Sequence, residues 1–249
     1  MRQRWAWLLA FGLISHWGAV GHCQQDAAAL LDKMAKGFAA ADALRLRSSI
    51  VVEQQMGDAK AKQTVQHEAI FQRPNLLRVR WTENGSKGLL ILCDGRNLFT
   101  QVDALQQVKK ETAPKSLQQI VRGDRPSSPV VDPLSCFLKE SWREKVESAK
   151  VAGTEKLRGR QVTKVTLTLK GGAQQTLWLD ADGRPWRTQR IIKRAHPGGG
   201  TMTVTVDETF QEVTLNPKLP KTAFRYTVPK GYRQVAEFEA PQSAPKSPR

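Results

Sequence analysis

The sequence predicts an α+β domain built around antiparallel β-meanders, and three observations carry that expectation. Apolar side chains alternate with polar or charged ones through stretches such as LLRVRWTEN and RQVTKVTLTLK, the period of a strand with one buried face. Turn signals at Asn84-Gly85, Asp94-Gly95 and Asp182-Gly183 separate such stretches, as hairpins require. Helical spacing is confined to the start of the domain and to its middle. No repeat period points to a solenoid or propeller.

The elements follow in order. Arg2 and Arg4 precede the uncharged run WAWLLAFGLISHWGAVG, and polar residues follow from Gln24. That is the layout of a secretory signal peptide over residues 1–23, with cleavage before His22 or before Gln24. A retained membrane anchor is the rival, but the run is short for a span and contains Ser15 and His16. Lipidation of Cys23 ranks below simple export, because His22 stands where a small residue is usual.

DAAALLDKMAKGFAAADAL then opens the domain of residues 24–235, with Asp26 as N-cap and Leu31, Met34, Phe38 and Ala41 on one helical face. Strands are expected in RLRSSIVVEQQM, KQTVQHEAIFQ, LLRVRWTEN, KGLLILC, NLFTQV and LQQVKK. From Ala113 to about Lys150 the pattern turns helical, in SLQQIVRG and DPLSCFLKESWREKVESA, around the connection DRPSSPVVDP. Leu117, Ile120, Leu134, Phe137 and Leu138 give these short helices an apolar side that needs a surface to cover. Strands resume in RQVTKVTLTLK, AQQTLWLD, RPWRTQRIIKR and TMTVTVDETFQEVTL. Residues 236–249, rich in Pro, Ser and Ala, read as a flexible tail.

The formal net charge of +16 favours anionic partners. In an exported protein these are lipid headgroups or acidic envelope components rather than nucleic acid. The same charge also serves to solvate exposed strand faces. RVRW and RPWRTQR interleave aromatic and basic residues, yet in a strand the two kinds lie on opposite faces, which argues against base stacking. Beyond the leader the histidines are His67 and His196, and no spacing for a metal site is present. The sequence has no GxSxG, HExxH or GxxxxGK[ST]. Asp94, Asp180 and Asp182 read as turn residues rather than as catalytic carboxylates. No catalytic residue, metal or cofactor is therefore assigned. Cys93 and Cys136 are left as a disulfide pair or as two free buried thiols.

Four segments, FQRPNLLRVRW, CDGRNLFTQVDALQQVKK, LWLDADGRPWRTQRIIK and FQEVTLNPKLPKTAFRYTVPKGYRQV, resemble in order and spacing the LolA-like outer-membrane lipoprotein-sorting family. That family includes the periplasmic lipoprotein carrier. The resemblance implies a strongly curved antiparallel sheet, an unclosed half-barrel, whose concave apolar face is lidded by the N-terminal helix and the short central helices. It implies a cavity for acyl chains lined by Leu77, Val79, Trp81, Val165, Leu167 and Leu169, with Leu134, Phe137 and Leu138 from the lid. The next strand adds Leu177 and Leu179, or Trp178 if the register is the other one. Arg73 matches the arginine that holds the lid closed, whereas Leu77 stands where the carrier has an aromatic residue. A bond between Cys93 and Cys136 would pin that lid.

The function expected on this basis is a periplasmic, monomeric, non-enzymatic binding protein. It holds acyl chains of lipids or lipoproteins, as carrier or sensor, in contact with an anionic membrane surface or a membrane receptor or donor protein. The alternatives are an envelope module that binds a protein partner without lipid and, behind it, an enzyme acting on anionic envelope polymers.

Overall fold

The computed structural model describes residues 26–83, 87–123, 130–195 and 200–239. The leader with Cys23, the Asn84-Gly85 turn, most of the DRPSSPVVDP connection, His196 and the end of the tail lie outside the described residues.

The first helix, α1, spans Ala27–Ala40. Asp26 caps it by accepting the Ala28 N–H at 3.0 Å. Its buried stripe is Leu30, Leu31, Met34 and Phe38, at the 3.6-residue spacing that aims one face at a sheet. Six strands follow: β1 (Ala43–Met56), β2 (Ala59–Gln72), β3 (Leu76–Glu83), β4 (Lys87–Asp94), β5 (Asn97–Val102) and β6 (Gln107–Thr112). Two short helices, α2 (Leu117–Arg122) and α3 (Pro133–Phe137), lead to a second meander. It consists of β7 (Val146–Leu157), β8 (Arg160–Leu169), β9 (Gln174–Leu179), β10 (Pro185–Ala195) and β11 (Thr201–Leu215), and the short β12 (Arg233–Val235) closes the series.

All twelve strands form one curved sheet in the order β12, β6, β5, β4, β3, β2, β1, β11, β10, β9, β8, β7. Every pairing is antiparallel except that of β12 with β6. The meanders join where β1 pairs with β11, and Asn216 secures that seam by accepting the Asp42 and Ala43 N–H groups through its side chain. β7 and β12 stand at opposite edges, so the sheet does not close.

α1 and α3 cover the concave face. The main core joins their apolar residues to Leu44, Leu46, Ala69, Phe71, Leu77 and Val79 of the first meander. From the second it takes Val165, Leu167, Leu169, Leu177, Leu179 and Phe210. A second, smaller core lies on the opposite face, where Tyr226 and Tyr232 pack on Leu92, Phe99 and Val108.

The structure corrects two expectations. DPLSCFLKESWREKVESA is not one helix: α3 stops at Phe137, Lys139 takes a left-handed backbone conformation, and β7 begins at Val146. Val146, Ala149 and Val151 of that strand pack against the core, and bulges beside Val146 and Val151 break the alternation that would have marked the strand in the sequence. The tail also begins later than residue 236. Glu239 donates its N–H to Gln107, and Glu237 pairs with Lys109, tying both residues to β6.

Candidate functional site

The concave face and the segment that lids it form the candidate site. Strand alternation puts Leu77, Val79 and Trp81 on the concave side, paired across to Cys93, Ile91 and Leu89, while Arg78 and Arg80 point to the other face. Leu77, Val79, Val165, Leu167 and Leu169 are buried in the main core, together with Phe137 and Leu138. Leu134 and Trp81 are partly buried at its margin. These side chains lie between the sheet and the helices. Leu177 and Leu179 face the core, whereas Trp178 lies on the convex face, hydrogen-bonded to Glu155 and flanked by Arg187 and Lys164.

Polar contacts hold the segment around α3 on this apolar bed. Arg73 donates through Nε to the Ala41 carbonyl at 3.0 Å and through Nη2 to the Phe137 carbonyl, and its guanidinium lies 4.5 Å from the centre of the Phe137 ring. One planar fork thus bridges the end of α1 and the end of α3, where helix carbonyls lack intrahelical partners. Gln175 is a second clamp. Its Oε1 accepts the Val131 N–H at 3.1 Å, and its Nε2 donates to the Val131 carbonyl at 2.8 Å and to Thr188 at 3.0 Å. Glu140 is the third, accepting from Arg122 at 2.8 Å and from Lys145 at 2.5 Å.

These groups carry perturbed protonation equilibria. Burial pushes the Glu140 carboxyl up, but hydrogen bonds from Arg122 and Lys145 outweigh it and hold the group below its ordinary value. Asp132, the α3 N-cap, is moved the other way, chiefly by burial, although the Ser135 N–H bonds to it. Cys93 and Cys136 are free, buried thiols, so no disulfide pins the lid. Burial, with the nearby Asp132 charge, pushes Cys136 up to about 12. Beside the lid an open cleft of about 780 Å³ lies between Arg73, the start of α2 and the loop of Lys139 to Lys145.

The sequence reading missed a polar row across the sheet. The Ser48 hydroxyl donates to Glu208 at 2.5 Å and lies 3.2 Å from His67 Nδ1, while the His67 ring stacks on Trp81. Cross-strand pairing of Ser48 with His67, and of Ile50 with Glu208, brings these residues together, and no spacing along the chain announces it. The arrangement is not a nucleophile relay, since Ser48 and Glu208 approach the same ring nitrogen. Among the described residues, no group of three or more His, Cys, Asp and Glu side chains is placed to hold a metal ion. Among them, too, no helix is long and apolar enough to cross a membrane.

A curved, unclosed antiparallel sheet with few helices and an apolar interior defines the class of structure. Solved structures to which the chain is similar share this coverage at low identity. An uncharacterized conserved protein from Thermus thermophilus is 16% identical, with a TM-score of 0.43, over 84% of this chain and 98% of that one. LprF from Mycobacterium bovis is 12% identical, with a TM-score of 0.43, over 78% and 96%. The LolA superfamily protein NE2245 from Nitrosomonas europaea is 13% identical, with a TM-score of 0.33, over 81% and 98%. No curated protein matches the chain. The sequence profile of DUF2092, described as a predicted periplasmic protein, matches residues 27–237, and the chain belongs to that family. Its periplasmic location is the one the leader predicts.

Proposed function

We propose that the protein binds acyl chains of lipids or lipoproteins between its sheet and its lid, and carries or senses them in the periplasm. The observation behind this reading is the contrast between an apolar concave interior and the polar, non-covalent attachment of the segment that covers it. Displaced by a few ångströms, α3 would exchange contacts with the sheet for contacts with an acyl chain, each methylene contributing about 0.8 kcal/mol. Such a site binds without a reactive group. Opening is a population shift, driven only by the difference in lipid affinity between open and closed forms. Arg73, Gln175 and Glu140 set the free energy of the closed form.

Mass spectrometry of organic extracts from protein purified from its native envelope tests the reading. Stoichiometric acyl lipid is expected, and it should be lost from a folded Leu77→Arg variant. Arg73→Ala, which loosens the lid without placing a charge in the core, should exchange added lipid faster. Native protein that carries no lipid and takes up none would overturn the proposal.

A further inference from the structure

Beyond the polar row the concave face continues as sheet, and its character changes. Registers place Ile50, Val52, Val65, Ile192, Val204 and Val206 on the side that also carries Ser48 and Leu46. All six are only partly buried, and Met56, farther along the same row, is 43% exposed. The face therefore has a packed half under the helices and a more open half that is mainly apolar, with Gln54 and Gln63 at its far end. From Ile50 to Met56 the open half runs about 20 Å along the strand.

Arg190 stands at the boundary, opposite Val206 on one side and Gln175 on the other. Its Nε is buried and has no hydrogen-bond partner among the described residues. The acids closest in influence, Asp132 and Glu208, are bonded elsewhere, to the Ser135 N–H and to the Ser48 hydroxyl. A partly buried guanidinium whose inner Nε is unpaired, beside an apolar strip, matches an amphiphile with an anionic head and one long tail.

We propose that the open half of the concave face binds a long-chain fatty carboxylate, its head on Arg190 and its tail on the apolar strip. This deepens the acyl-binding reading and rests on it. It adds to the site beneath the helices a second stretch of the same face, on the open sheet, and assigns the selectivity for an acid to one side chain. One guanidinium, with no second cation established beside it, suits the lone carboxylate of a fatty acid better than a multiply charged headgroup.

Displacement of cis-parinaric acid, followed by its fluorescence, supplies the test, with palmitate and methyl palmitate as competitors. Wild type should prefer palmitate by about tenfold, the scale of one charge-assisted hydrogen bond. Arg190→Met should abolish that preference while leaving methyl palmitate unchanged, and Arg190→Lys should restore part of it. Val206→Asp, confirmed folded by thermal melting, should weaken both competitors. Equal displacement by acid and ester would overturn the role of Arg190 and leave acyl binding intact. Undiminished binding by Val206→Asp would overturn the location, again without touching the broader reading. Failure of wild type to bind the probe at all would sink both.

Discussion

At the scale of single residues, the segment around α3 depends on side chains that complete the hydrogen bonding of a buried main chain. Val131 is fully buried, and its N–H and carbonyl both find their partner in Gln175. A buried peptide group left without a partner costs about 1–3 kcal/mol. Gln175→Leu keeps the volume and deletes both bonds, so it should destabilise the protein by about 3 kcal/mol in urea titration. Hydrogen exchange should quicken first around residues 130–138, and wild-type stability in this variant would remove Gln175 from the lid. Arg73, which bonds the Ala41 and Phe137 carbonyls, was marked in the sequence by the RP dipeptide of a resembling family. Gln175 was not, since a glutamine in AQQTLWLD carries no mark of its partner, which lies 44 positions away in the chain.

At the scale of elements, α1 was read correctly from its spacing and N-cap, whereas β7 was lost inside an expected helix. VESAKVAGTEKL has weak strand preference and becomes a strand because β8 supplies a partner, a tertiary effect that overrides propensity. Element docking makes its own demands. The β9–β10 turn meets α1 at Gly183, which has φ of +76°, and a Cβ there would stand 2.8 Å from the Met34 nitrogen. Gly57, with φ of +57°, has nothing within 4 Å of the same atom. Gly57→Ala should therefore cost about 1 kcal/mol, the price of the left-handed backbone alone. Gly183→Ala should cost about 2 kcal/mol more, because α1 must shift, and equal melting points for the two variants would contradict that docking. The cluster around Glu140 joins the end of α2 to the loop between α3 and β7. Since its folded value is depressed, its stabilisation is complete above the ordinary carboxylate range and is lost as pH falls through the folded value. Asp132 has the opposite sign: with its folded value raised, it favours the folded state on the acid side and opposes it as pH rises through that value. Glu140→Gln should lose about 3 kcal/mol at neutral pH, because Lys145 stays buried and charged. Its stability should fall less steeply than wild type on acidification, and parallel pH profiles would show that Glu140 does not hold the cluster.

At the scale of the whole molecule, two faces of one sheet are protected in different ways. The concave core draws on both meanders and on α1, and alternation marked its face in β3 and β8, whereas the run Leu177, Trp178 and Leu179 left the face of β9 open in the sequence. The convex core was hidden, since residues 217–239 show no period and gain their place only by lying over β4, β5 and β6. Tyr226 stacks 4.5 Å from Phe99 and donates its hydroxyl to Gln101, while Tyr232 donates to Asp103, which also receives Arg80. Arg80 thus helps to explain the alternation in LLRVRW from its basic side: it anchors the acid on which the C-terminal segment closes. This segment adds one three-residue parallel strand and a small cluster, so it has far less to hold it than the seam of β1 and β11. It should open first. In native-state hydrogen exchange the amides of Arg233–Val235 should exchange well before those of β1 and β11. Tyr226→Ala, removing about 2 kcal/mol of packing, should speed the early class by about thirtyfold. A single exchange rate across β12, β1 and β11 would mean instead that the C-terminal segment and the two meanders unfold as one unit.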